Sequence, residues 1–171
     1  METPRLIIDR LKKEDKKDYF CNISNNKKVL ETFICTYQPD IDNFDFEPYL
    51  GKDSIFAIRL KENNKLIGIL TKYLVNGKTV EIGYGIGSSY WNKGYMSEAV
   101  KAFIQYLFDI EGFNKVYASC FMNNPASKRV MEKVGMIYSH TIINELCYLG
   151  VNRDTIFYKI ENDSKRNKFL F

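Results

Sequence analysis

Apolar residues fall in short blocks along this chain, and the changes in their spacing mark where one element ends and the next begins. Leu6, Ile7 and Ile8 predict an opening strand, and the polar stretch after it carries Tyr19, Phe20 and Ile23 at helical spacing. Asn25 or Asn26 would cap a second short helix presenting Val29, Leu30 and Phe33. The segment from Gln38 to Asp53 is irregular and acidic. Three strands follow as a meander: Ser54 to Leu60, Leu66 to Leu74, and Thr79 to Ile86. Asn76-Gly77, before the third, is a strong hairpin signal because both residues tolerate positive φ.

The period then lengthens. Val100, Phe103, Ile104, Leu107 and Phe108 make one apolar face of a helix from about Gly94 to Asp109, and Gly112 lies past its end. Lys115 to Met122 predicts a strand, and Asn124-Pro125 opens a shorter helix closed by Gly135. Met136 to Ile143 and Thr155 to Ile160 read as a closing pair of strands. The expected class is α/β (α+β). The 171 residues read as a single domain with 161–171 as a candidate disordered tail.

Composition narrows the function classes. Hydrophobic residues make up 45% and charged residues 27%, ordinary for a globular protein and unlike a disordered or low-complexity one. No apolar run approaches the roughly 18 residues that span a bilayer, so no membrane partner is expected. Cys21, Cys35, Cys120 and Cys147 are scattered without paired spacing or a His cluster. They predict reduced thiols, no metal and a cytoplasmic setting. The net charge of +4 is interspersed, which argues against nucleic acid. It divides into −4 over residues 38–53, +2 over 91–133 and +6 across the rest.

The chemistry concentrates at the third meander strand. Val80, Ile82, Tyr84 and Ile86 alternate with Glu81, Gly83 and Gly85, so one face carries a single carboxylate and otherwise no side chains. Glycines inside a strand mark a bulge or a close approach by a ligand. The strand runs through a Gly-containing turn into Trp91-Asn92-Lys93-Gly94-Tyr95-Met96-Ser97 at the start of the long helix. A helix N-terminus reached this way is an anion site of outward-pointing N–H groups, and a pyrophosphate is the expected guest. Neither the Rossmann nor the P-loop glycine spacing is present. Asn124 and Ser127 follow the next strand, where a cap and a first-turn serine also account for them.

Taken together, Trp91 to Ala99 resembles the acetyl-CoA motif of the GCN5-related N-acetyltransferases (GNAT), and is most similar to the RimJ/RimL-type branch. Asn124-Pro-Ala-Ser127 through Glu132 to Met136 is similar to that family's second motif, and Thr3 to Leu11 to its opening strand. The resemblance implies a strongly twisted mixed sheet of about six to seven strands with about four helices, splayed between the strands ending near Ile86 and Met122. It implies acetyl-CoA as co-substrate, with the pantetheine arm against the main chain of Gly85 and Ile86. The pyrophosphate would rest on Asn92 to Ser97, with Lys93, Lys128 and Arg129 near the phosphates. Met96 stands where the family has Gly or Ala, so its side chain must turn away from the phosphate. Met131 stands where many members carry a Tyr that protonates the departing thiolate, so Ser127 and Asn124 would stabilise the thiolate, or solvent would protonate it.

An amine attacks a thioester only when neutral. Near neutral pH about a third of an α-amine is free but only about 0.1% of a lysine, a difference of roughly 3.5 kcal/mol that a general base must help to offset. Glu81, as the carboxylate on the glycine face, is the candidate base, acting through a water; a surface Glu without a role fits the same pattern. Asp154, Tyr148 and Tyr158 are alternatives. The acids of residues 38–53 point to a cationic amine acceptor, such as a peptide N-terminus, a lysine or a polyamine, though a solvated loop has the same composition. The expected assembly is a monomer or homodimer. A non-catalytic acyl-CoA-binding module on the same fold is the alternative.

Overall fold

The computed structural model describes residues 1–162. Seven strands form one sheet in the order β1-β2-β3-β4-β5-β7-β6. They are β1 (Leu6–Arg10), β2 (Ile55–Leu60), β3 (Leu66–Asn76), β4 (Thr79–Ile86), β5 (Lys115–Phe121), β6 (Ile137–Tyr148) and β7 (Val151–Glu161). Four α-helices interrupt them: α1 (Lys16–Tyr19), α2 (Lys27–Leu30), α3 (Tyr95–Asp109) and α4 (Pro125–Lys133). The parallel register of β4 with β5 runs from Thr79 opposite Lys115 to Ile82 opposite Ala118, and the other recorded pairings are antiparallel. This is the open mixed sheet that the motifs implied.

Two compact units share β3, β4 and α3. The first takes Met1–Thr71 and Tyr84–Ala102. Its core gathers Leu11, Tyr19, Ile23, Phe44, Phe46, Ala57, Leu66 and Ile69. The aromatics of the acidic segment supply much of it: Phe44 and Phe46 are buried and ring Tyr19 at 6.0 and 5.3 Å. The acids between them turn outward and make turns, Asp40 accepting from the Asp42 N–H and Asp45 from the Glu47 N–H. Arg59 lies within this unit, 2% exposed, with Asp9 at 2.7 Å and both oxygens of Asp15 around its guanidinium. Burial alone would raise the Asp9 carboxyl, but Lys12 and Arg59 hold it below the usual range.

The second unit takes Lys72–Gly83 and the described residues from Phe103 onward. Val80, Ile82, Phe103, Leu107, Val116, Ala118 and Met131 are almost wholly buried in it, the first four on the apolar faces expected of β4 and α3.

The structure departs from expectation at both ends. The helix around Tyr19 is broken into a 3₁₀ turn (Lys13–Asp15), α1 and a π turn (Phe20–Ser24). The π turn buries Asn22, whose amide donates to the Leu66 carbonyl at 2.7 Å. Asn26, and not Asn25, caps α2 by accepting from the Val29 N–H. The closing strands are longer than predicted because Leu149 and Gly150, both at positive φ, make a two-residue hairpin between them. Leucine seldom occupies that conformation, so the turn carried no signal. The expected tail falls almost wholly outside the described residues; Glu161 itself ends β7.

Candidate active site

The first unit supplies a cradle of backbone donors. Trp91 leads out of a 3₁₀ turn (Ser88–Tyr90), and Asn92 and Gly94 sit at positive φ on either side of Lys93. Such alternation curves successive N–H groups into a concave ring. No backbone acceptor is recorded for the N–H groups of Asn92 to Ser97, whereas the Glu98 N–H already reaches the Gly94 carbonyl at 3.1 Å. Met96 is 8% exposed, its side chain turned into the core. The tip of Lys93 lies 5.7 Å from the Tyr90 ring centre, and its carbonyl accepts from Arg5.

Arg5 fixes this segment. Its Nε donates to Glu98 at 2.7 Å, its backbone N–H reaches the same carboxylate at 3.0 Å, and its guanidinium stacks 4.5 Å from the Tyr95 ring centre. Thr3 donates to Glu98 at 2.6 Å. Burial would raise the Glu98 carboxyl, but the bonds from Thr3 and Arg5 hold it below its ordinary value. Sequence reading gave Arg5 and Glu98 no individual role. Both lie in the segments that carry the family resemblance, Glu98 in Trp91 to Ala99 and Arg5 in Thr3 to Leu11.

Gly85 and Ile86 have neighbours that were not foreseen. A Cβ at position 85 would lie 3.1 Å from the Phe33 ring, so the bare strand face is covered there by a side chain of its own unit. The Ile86 carbonyl accepts from the Trp91 indole N–H at 2.9 Å. A carbonyl has two lone pairs, so this bond leaves one for a ligand.

The second unit holds the candidate base. Glu81 accepts from the Ser119 hydroxyl at 2.8 Å and from the Tyr73 hydroxyl. Burial of that hydroxyl and the bond to Glu81 raise Tyr73 well above its ordinary range, so it remains a protonated donor. Ser119, two residues along β5 from Tyr117, shares its face, and Tyr117 stands opposite Glu81 in the parallel register. Tyr73 and Ser119 were absent from the sequence reading.

Asn124 and Ser127 act locally. The Asn124 side chain accepts from the Ser127 N–H at 3.1 Å, the capping bond its position predicted. The Ser127 hydroxyl bonds to Cys120, whose thiol is pushed up to about 11 by burial, against the lowering effect of Ser127. Cys120 and Ser119 are consecutive on β5, so Ser127 and Glu81 address opposite faces of that strand. Met131 is fully buried. Tyr158 donates to Glu132 at 3.3 Å, and Arg129 is exposed. Among the described residues no group of His, Cys, Asp and Glu gathers to hold a metal, and no helix is long and apolar enough to cross a membrane.

The acetyltransferase (GNAT) domain family matches residues 5–137. The uncharacterized N-acetyltransferase YnaD of Bacillus subtilis is 39% identical over 82 residues, 47% of this chain and 48% of that protein, so the match spans about half the length of that relative. An acetyltransferase (GNAT family) from Bacillus anthracis has a solved structure that superposes with a TM-score of 0.82 at 28% identity, covering 94% of this chain and 97% of that one. The ribosomal-protein-S5-alanine acetyltransferase of Vibrio fischeri also superposes at 0.82, with 18% identity over 95% of this chain and 96% of its own.

Proposed function

Because the chain belongs to the acetyltransferase (GNAT) family, we propose that it transfers an acetyl group from acetyl-CoA to a primary amine by direct attack in a ternary complex. The observation that carries this reading is the run of unpaired N–H groups from Asn92 to Ser97, pinned by Arg5 and Glu98. It supports a pyrophosphate seat built from backbone, which a buried Met96 leaves clear. Gly85 and Ile86 are the proposed main-chain partners of the pantetheine arm. Trp91, Lys93 and Arg129 are proposed to border the cofactor.

The acceptor arrives as a cation and reacts as a neutral amine. Glu81, acting through a water, takes the proton, while Tyr73 and Ser119 hold its carboxylate. The amine nitrogen forms a bond to the acetyl carbon, and the carbon–sulfur bond breaks. The departing thiolate takes a proton from solvent. Ser127 and the amide N–H groups of Asn124, whose oxygen accepts the cap bond, are the groups proposed to stabilise it. The proposed setting is cytoplasmic, in keeping with four cysteines that are all free. The proposed acceptors are a peptide or protein N-terminus, as in the RimJ/RimL-type branch, or a small amine.

One observation favours a second reading. Met131 is fully buried where many members carry the thiolate-protonating Tyr, which suits a module that holds acyl-CoA without turnover. Free thiol released from acetyl-CoA in the presence of α-amine peptides, lysine peptides, polyamines or aminoglycosides tests both readings. Amine-dependent release supports the transferase, and binding of acetyl-CoA without release supports the module.

A further inference from the structure

A recess of about 510 Å³ lies within the second unit, in the size range of small-molecule sites. Met122, Asn123, Asn144, Asn152, Arg153 and Asp154 line it, and none of the groups placed in the proposed transfer chemistry is among them. Backbone geometry builds it. β6 meets β7 through Ile142 opposite Thr155 and Leu146 opposite Arg153, so Ile143, Asn144 and Glu145 face Asp154 alone. They make a bulge with Asn144 at φ 50°, and the Asn144 N–H donates to the Asp154 carboxylate at 2.9 Å. On the other side the Met122 N–H donates to the Asp154 carbonyl at 2.8 Å. Asp154 thereby ties the bulge of β6 to the turn that follows β5.

One cation and one anion face this recess without pairing. Arg153 is half-buried, its guanidinium lies 5.6 Å from the Phe121 ring centre, and its Nε is shielded from solvent without a hydrogen-bond partner. Among the described residues no carboxylate forms an ion pair with it, Asp154 included, although Arg5, Arg10 and Arg59 each have such a partner. Asp154 uses one oxygen on the Asn144 N–H, and its other oxygen bonds no described residue. The side-chain amides of Asn123, Asn144 and Asn152 bond no described residue either. A half-buried guanidinium gives up hydration, a cost that a carboxylate with two oxygens on its fork would offset.

We propose that this recess binds a free α-amino acid, with its carboxylate on Arg153 and its ammonium on Asp154 and the asparagine side-chain oxygens. The charges decide the class. A bare anion would meet Asp154 and a bare cation would meet Arg153, whereas a zwitterion answers both signs. The end of a peptide carries only one of the two charges on its terminal residue, so it fits less well. Met122, 50% exposed, offers a flexible apolar wall for an aliphatic side chain. The inference does not use the acetyl-transfer reading and is tested without acetyl-CoA.

L-leucine is the probe, with 4-methylpentanoate (the same skeleton without the amine) and 3-methylbutylamine (without the carboxylate) as its fragments. Each is titrated by ligand-observed NMR against the wild-type protein, Arg153→Met, Arg153→Lys and Asp154→Asn. The last keeps an oxygen for the Asn144 N–H while removing the charge. The wild type should bind L-leucine at least tenfold more tightly than either fragment. Arg153→Met should weaken L-leucine by at least tenfold without weakening 3-methylbutylamine, and Arg153→Lys should restore part of the loss. Asp154→Asn should erase the preference for L-leucine over 4-methylpentanoate. Thermal midpoints of the unliganded variants show whether each one folds, and the wild-type comparison decides the matter if one does not. No wild-type binding of L-leucine at about 10 mM overturns the proposal. So does equal affinity for L-leucine and a fragment, or L-leucine binding unchanged in a folded Arg153→Met or Asp154→Asn.

Discussion

The Ser119 hydroxyl donates to the Glu81 carboxylate at 2.8 Å, and the Tyr73 hydroxyl donates to the same oxygen. Two fixed donors orient one lone carboxylate on a strand face that is otherwise glycine and hydroxyl. If that orientation matters to proton transfer, Tyr73→Phe and Ser119→Ala should each lower kcat by about tenfold, or about 1.4 kcal/mol, with KM little changed. Unaltered kcat in both variants would mean that the hydroxyls only tidy the surface.

Gly85 is set by Phe33. A methyl group there would meet the ring at 3.1 Å, so Gly85→Ala should cost about 1–3 kcal/mol of stability. Chemical denaturation of Gly85→Ala alone and combined with Phe33→Leu checks this. The smaller side chain should recover most of the loss, and an equal loss in both backgrounds would place the clash elsewhere.

Much of this arrangement could be read from residue order. β4 begins and ends where the alternation of Thr79 to Ile86 said it would, and Asn124 caps α4 ahead of Pro125. Those are local signals, carried by side-chain period and capping chemistry. The Tyr73–Glu81 bond is not local. An unbroken register counted outward from the Asn76-Gly77 turn sets Lys72, and not Tyr73, opposite Glu81, so counting could not find it. Phe33 over Gly85 and Arg153 over Phe121 likewise join distant segments, and nothing in their own neighbourhoods announces them.

Acid should loosen the first unit through Asp9 and Glu98. Both carboxyls are held below their ordinary values in the folded protein, burial opposing and their hydrogen-bond and cationic partners prevailing. The stability they add is therefore full above the unfolded values near 4 and lost as pH falls through the lower folded ones. Thermal midpoints followed from neutral pH to about pH 3 should fall less steeply in Asp9→Asn and Glu98→Gln than in the wild type. Parallel slopes would show that other carboxylates dominate.

Trp91 offers a direct optical probe of the cofactor site. It is the single tryptophan of the chain, its indole N–H is bonded to the Ile86 carbonyl, and it immediately precedes the donor run from Asn92. Addition of CoA should change the position or intensity of the tryptophan emission along a saturable curve. Calorimetric binding of CoA with an unchanged emission spectrum would place the ligand away from this segment.

Whether Glu81 takes the proton from the amine is read from the pH dependence of Glu81→Gln. With an α-amine acceptor, kcat/KM for amine-dependent thiol release should fall by about 10²–10⁴-fold in the variant at pH values where the amine is cationic. That deficit should shrink as pH rises past the amine's own value near 7.8, where the nucleophile is free without help. Turnover and a pH profile identical to the wild type would contradict the account.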